Sequence, residues 1–310
     1  MNFIKSINLK TVSICLIGWF VLCAGCRSKN EFVPPDTVRK GVINISVDES
    51  FKPVIDEQIK VYEGSYPEAT IVAHYKPEAE CLRDFANDSI RMIICTRQYS
   101  KSEDRFIRDS MKTVPSAMVI AYDAIAVIVH PGAPDSMFTM EEIKELLKGN
   151  TNNNLVPVMD GNSATSTVRF LLDSVLRQGT FGPKVVAAKS SVEVLDYVAT
   201  TQNAVGFIGV SWIGNKEDTA QTTFLKKVKI AYVESTNKPG GYVLPLQFNI
   251  YSKAYPMVRD LVYVLKESHK GLGHGFASFL SGERGQLIFK RSYLQPARFD
   301  FILRAATLKE

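Results

Sequence analysis

From residue 41 onward the sequence alternates between two hydrophobic patterns, and that alternation restricts the chain to a small set of folds. Residues 42–47, 70–75, 92–96 and 155–159 read as short strands, whereas 51–62, 78–87, 139–147 and 190–200 read as helices. In the first of these helices Val54, Ile55, Ile59 and Tyr62 fall on one face. Two of the others open with capping boxes, Thr139 with Glu142 and Ser190 with Glu193. The run Met92-Ile93-Ile94-Cys95-Thr96 has no polar alternation, as expected of a strand buried on both faces. Strands alternating with helices imply an α/β fold with a largely parallel sheet.

Further along, 204–208 reads as a strand with Gly206 and Gly209, and 246–252 as another strand. Residues 256–266 read as a helix with Val258, Leu261, Val262 and Leu265 on one face, followed by helical pieces near 274–280 and 284–289. The stretch 117–129 is too long for a usual strand of about five or six residues. It reads as two strands in sequence, passing from one lobe to another. No internal repeat or low-complexity tract is present.

Within this frame, residues 159–176 carry the densest chemistry. A turn signal, Asp160-Gly161-Asn162, is followed by the hydroxyls Ser163, Thr165, Ser166 and Thr167. Val168, Leu171, Leu172, Val175 and Leu176 then set the stripe of an amphipathic helix. Hydroxyls and free backbone N–H groups gathered at a helix start suit an oxyanion, and Arg169 adds a planar, permanently charged fork. Ordinary capping needs one such hydroxyl; four and an arginine exceed it.

Residues 1–25 read as an export signal. Lys5 and Lys10 form its basic end, and 11–22 is an apolar core shorter than the roughly 20 residues of a membrane span. Cys23-Ala24-Gly25-Cys26 resembles a lipobox, which would make Cys26 the lipidated first residue, although Cys23 stands where Leu is usual. Residues 26–40, with Pro34-Pro35, read as a tether. Setting aside Lys5 and Lys10 leaves 35 basic residues against 32 acidic, too balanced for a nucleic-acid track. The four His and five Cys lack zinc-like spacing, and no cofactor motif is present. Cys81 and Cys95 are compatible with a disulfide after export or with two buried thiols.

Three strand ends carry residues suited to an anion: Asp48-Glu49-Ser50-Phe51, Thr96-Arg97, and the hydroxyl turn after residue 159. In open α/β sheets ligands bind beyond such ends. Through these motifs, residues 41–298 resemble the phosphate-binding proteins that feed phosphate ABC transporters. Ser50-Phe51 is similar to that family's first hydroxyl–aromatic pair, Thr96-Arg97 to the end of its third strand, and 162–170 to its anion-binding turn. Residues 123–129, 204–209, Gly275-Phe276-Ala277-Ser278-Phe279 and Gly285-Gln286 resemble its interlobe strand, its Gly–aromatic strand and its C-terminal signature.

The resemblance implies a two-lobed α/β fold of the periplasmic-binding-protein type II class, its lobes joined by two crossing strands. Lobe one would be 41–122 plus 247–310, and lobe two 123–246. It implies phosphate-binding roles for Ser50, Phe51, Thr96, Arg97, Ser163, Thr165, Ser166, Thr167 and Arg169. It also implies a monomeric lipid-anchored protein of the bacterial cell envelope, facing the periplasm, with inorganic phosphate and ABC transporter permease subunits as partners. Two departures stand out. The turn after the second strand is Lys76-Pro77-Glu78-Ala79-Glu80 instead of Ser/Gly, and Arg91 stands where the family often has the Asp that accepts the proton of hydrogen phosphate. Glu49 and Asp123 are the candidate substitutes.

Other readings remain open: another tetrahedral oxyanion, or a sensing or adhesion lipoprotein on the same fold. A serine hydrolase is the remote alternative. His74, His130, His269 and His274 sit in no catalytic motif, and no G-x-S-x-G turn is present.

Overall fold

The computed structural model describes residues 36–111, 114–150, 154–161, 165–177 and 179–298. The signal segment, Cys26, most of the tether, and Ser163 lie outside the described residues. Strand β1 (Gly41–Asp48) is followed by a one-turn 3-10 helix (Glu49–Phe51), then α1 (Lys52–Ser65), β2 (Ala69–Lys76), α2 (Glu78–Asp84) and β3 (Ile90–Cys95). After α3 (Lys101–Met111) comes β4 (Ser116–Val129), a single unbroken strand of 14 residues. The second half holds β5 (Met137–Phe138), α4 (Met140–Lys148), β6 (Val156–Asp160), α5 (Ser166–Phe170) and β7 (Val186–Ala188). It continues with α6 (Ser191–Thr200), β8 (Ala204–Gly209) and α7 (Thr219–Lys227). Short strands β9 (Lys229–Ile230), β10 (Tyr232–Glu234) and β11 (Tyr242–Val243) precede α8 (Gln247–Tyr251). Strand β12 (Val258–Leu265), α9 (Leu272–Ser281), α10 (Glu283–Arg291) and β13 (Gln295–Pro296) close the described chain.

The main sheet runs β2-β1-β3-β12-β4-β8-β6-β7. Its wings are parallel, as the alternating pattern requires: β1 pairs β2 and β3, and β6 pairs β7 and β8. Its centre is antiparallel, because β12 enters between β3 and β4 against both. Strand β4 is the seam. Its residues up to Ala124 pair with β12, and Ile125–Val129 pair with β8. One long strand thus does the work assigned above to two strands in sequence, and it belongs to both half-sheets.

Two readings from periodicity are corrected. Residues 256–266 hold a strand, not a helix. The spacing of Val258, Leu261, Val262 and Leu265 is helical, yet the segment is buried along almost its whole length. A strand covered on both faces is apolar throughout, so helical spacing can be picked out of it by accident. Conversely, 246–252 contains the short helix α8 and no strand. Its apparent alternation comes from Leu246 and Phe248, which are exposed, and only Ile250 is buried in the helix.

The helix that follows the hydroxyl turn starts as expected, and from Leu171 to Leu176 it widens into a π-helix. Leu171, Val175 and Leu176 remain buried, so the apolar stripe still faces the core. At α4 the capping box forms in full, with Gly149 in the left-handed conformation behind it. On β8, a Cβ on Gly206 would come within 2.7 Å of both Ile128 and Val198, so glycine is what lets α6 lie directly on the sheet.

Candidate functional site

Strand ends on the two sides of β4 face each other at a buried polar cluster. From the first half-sheet, Asp48 at the end of β1 accepts a hydrogen bond from Ser50 N at 3.0 Å. This tight turn buries both Ser50 and Phe51. From the second, Asp160 ends β6, and Thr165 ties the turn by donating to the Asp160 carbonyl at 2.7 Å while accepting from Val168 N. Thr165 is thus the cap of α5, and Ser166 and Thr167 are the hydroxyls that face inward, both fully buried. Ser50 Oγ and Ser166 Oγ are 3.4 Å apart, which brings two of the three expected strand ends together.

The charge at this cluster comes from a residue that the sequence reading passed over. Arg259 on β12 is the register partner of Asp123 on β4, at the place where β4 changes from β12 to β8. Its Nε donates to Asp123 Oδ2 at 2.8 Å, and its Nη1 to Ser166 Oγ at 2.8 Å and Thr167 Oγ1 at 3.4 Å. The guanidinium lies over the Phe51 ring, 5.0 Å from its centroid. Arg259 is 5% exposed, and its Nη2 has no hydrogen-bond partner. Gly209 makes room for it: a Cβ there would stand 2.9 Å from Nη2 and 3.5 Å from the Ser50 carbonyl. That carbonyl accepts from Ser211 Oγ at 2.6 Å. The signal for Arg259 was present, since Arg259-Asp260 is a charged pair inside an apolar run, but reading that run as a helix left Arg259 off the face of Val258, Leu261, Val262 and Leu265.

Three buried carboxylates surround this one guanidinium: Asp48, Asp123 and Asp160. Burial pushes Asp48 up to about 6, against the opposing pull of Arg259. Burial, with the charges of Asp48 and Glu49 beside it, pushes Asp160 up to about 7. Near neutral pH the cluster therefore offers both acceptors and, on Asp160, an exchangeable proton.

The remaining expected residues form a second group. Arg169 Nε donates to Glu78 Oε2 at 2.6 Å, and its Nη2 to Thr96 Oγ1 at 2.6 Å. Thr96 in turn donates through N and Oγ1 to Glu78 Oε1, at 2.9 and 2.6 Å. Burial by itself would raise the Glu78 carboxyl, but the bonds and charge of Arg169 and the Thr96 donors hold it below its ordinary value. Arg97 is spent on a two-pronged pair with Glu103, both contacts 2.9 Å, away from the hydroxyls. The unexpected turn at Lys76-Pro77-Glu78 thus has a structural consequence, because its glutamate sits on donors that the sequence reading reserved for an anion. Arg91, the other departure, pairs with Asp36 and Glu267.

Cys81 and Cys95 are buried free thiols, pushed upward in pKa by burial. An apolar cavity lined by Val129, Phe138, Leu146 and Leu155 shares no residue with the hydroxyl cluster, and its lining is unsuited to an oxyanion. Among the described residues no group of three or more His, Cys, Asp or Glu side chains could hold a metal ion, and no helix is long and apolar enough to cross a membrane.

Comparison with known proteins follows the same lines. Residues 34–284 match the family model of the PBP superfamily domain. The phosphate-binding protein PstS of Pseudomonas aeruginosa is 27% identical over 206 residues, 58% of this chain and 60% of that protein. The chain therefore spans less than two thirds of the length of that relative. PstS of Borreliella burgdorferi is 21% identical over 261 residues, 79% of this chain and 86% of that protein. Among solved structures, a protein of Clostridium perfringens assigned as a phosphate ABC transporter substrate-binding protein, with bound phosphate, superposes with a TM-score of 0.70. It has 19% identity and covers 83% of this chain and 100% of its own. At that identity the likeness speaks for the fold: a curled α/β sheet in two halves that share β4.

Proposed function

The chain belongs to the PBP superfamily, and from that premise we propose that it is a solute-binding protein that captures inorganic phosphate between its two half-sheets. It would deliver the anion to the permease of an ABC transporter. The observation that carries the reading is the buried Arg259 guanidinium, its Nη2 unpartnered, converging with the hydroxyls of Ser50, Ser166 and Thr167. A buried cation with a free donor and a ring of hydroxyls binds a tetrahedral oxyanion by charge-assisted hydrogen bonds, without any reaction. Thr165 shapes the turn, and Phe51 supports the guanidinium from one face.

Asp48, raised only to about 6 and so mainly ionised near neutral pH, supplies what Arg91 does not. A carboxylate accepts the proton of hydrogen phosphate and repels a fully ionised sulfate. With this side chain in place, phosphate is the preferred anion. Thr96, Arg97 and Arg169, bonded to Glu78 and Glu103, act beside the anion and not upon it. The expected lobes, 41–122 with 247–310 and 123–246, become the two jaws, hinged at β4 and β12. Lipidation at Cys26 would hold the monomer at the envelope, facing the periplasm.

Calorimetric titration of the full chain with phosphate, sulfate and molybdate tests the reading. Saturable binding of phosphate alone, without turnover, is the expected outcome. Binding to none of the three would reject it in favour of a sensing or adhesion role on the same fold.

A further inference from the structure

Two carboxylates of the first half-sheet reach across to donors of the second. Glu78, which opens α2, is buried and takes Arg169 Nε at 2.6 Å and Nη2 at 3.4 Å from α5. Its other donors, Thr96 N and Oγ1, come from its own side. Glu49, in the turn after β1, accepts from Ser191 Oγ at 2.9 Å and from the Ser191 backbone, at the first turn of α6. Ser50 lies next to Glu49 in the chain, and Ser166 lies three residues before Arg169, so the hydroxyl cluster is flanked by both contacts. A guanidinium fork and a helix start are both donor sets that suit an external anion. Here each already holds an anion that is part of the chain.

We propose that Glu49 and Glu78 are positioning residues for ligand capture: two internal anions that clasp the half-sheets together before any ligand arrives. The clasps exist only when the halves are closed, so they raise the fraction of ligand-free protein in the closed form. Apparent affinity scales with that fraction, because the apparent Kd is the intrinsic Kd divided by it. The clasps therefore tighten binding and slow release without touching the ligand. They also account for the glutamate at the turn after β2, where the resembled family often has Ser or Gly. This inference rests on the two-jaw reading throughout and on phosphate capture for its affinity arm only.

The test is a mutant cycle on the full chain with Glu78→Gln, Arg169→Gln and the double variant, with Glu49→Gln measured separately. Hydrogen exchange of ligand-free protein is followed at residues 50–51 and 166–168, which flank the hydroxyl cluster and bond to neither glutamate. Each single variant is expected to exchange there faster, by about tenfold in Arg169→Gln, and phosphate Kd to rise in step through a faster off-rate. The Glu78/Arg169 double variant should match Arg169→Gln, which removes every contact of this clasp, whereas Glu78→Gln leaves Arg169 Nη2 on Thr96 Oγ1 and should show the smaller effect. If Glu78→Gln fails to fold, Arg169→Gln breaks the same contact from its half-buried end. A lowered melting temperature with unchanged exchange at those amides, or additive effects in the double variant, would overturn the proposal. If wild-type protein binds no phosphate, the phosphate reading fails, and the exchange arm still decides the clasp.

Discussion

Replacing Arg259 separates stability from binding in a way the geometry makes quantitative. In Arg259→Gln the chain loses the donor to Asp123 at 2.8 Å, the donor to Ser166 at 2.8 Å and the cation over Phe51. Asp123, fully buried, then loses its counter-ion, and holding its charge or taking up a proton both cost stability. Breaking a buried pair from one side costs about 3–5 kcal/mol. For a domain of this size that lowers the melting temperature by roughly 6–20 °C. Replacing both partners, Asp123→Asn with Arg259→Gln, removes the stranded carboxyl and should recover most of that loss. Phosphate affinity should not recover with it. A desolvated charged contact to a ligand contributes about 2–5 kcal/mol, so both variants should bind at least about thirtyfold more weakly. Arg259→Lys keeps the charge and loses the fork, and should fall between. Differential scanning calorimetry and isothermal titration read the two quantities on the same samples. Wild-type phosphate affinity in the double variant would refute the assignment of Arg259 to the anion.

Three further outcomes follow from the same cluster and from the N-terminal motif. Asp160, raised in the folded state to about 7 from an unfolded value near 3.9, binds more protons folded than unfolded between those values. Its ionisation therefore lowers stability as pH rises through that window, by at most about 4 kcal/mol above it. Asp160→Asn should melt higher than wild type at pH 8 and show no gain at pH 3; equal melting temperatures at pH 8 would contradict the burial argument. Gly209→Ala places a methyl 2.9 Å from Arg259 Nη2, and should cost about 1–3 kcal/mol in stability while weakening phosphate binding, read by melting and titration. Cys26→Ala should abolish labelling by radioactive fatty acid and release the chain from membranes; retained label would exclude Cys26 as the anchor.

Local patterns carried much of the architecture. The capping box at Thr139, the turn into α5, and the parallel wings follow from residues within a few positions of each other, so periodicity and capping chemistry could reveal them. Burial on both faces erased the same signal in β12, and half-exposed apolar residues imitated a strand in α8. At the site, Ser50, Ser166 and Thr167 were legible as hydroxyls at strand-to-helix turns, and the structure brings them together. Thr165 proved to be the cap that the bland reading of such turns expects.

Local pattern in the chain thus revealed β1, β2, β3, β6 and β8, though not the three-residue edge strand β7, and showed where hydroxyls gather at strand ends. Only the tertiary structure decided where the charges go. Arg259 meets Ser166 across 93 residues of chain, and Arg169 meets Glu78 across 91, because β12 inserts antiparallel beside β4 and the half-sheets close on each other. Secondary structure depends on side chains two to four positions apart, which a linear reading samples directly. The partner of a buried charge is whichever group the fold leaves within reach when water is excluded, and nothing local in the chain encodes that distance.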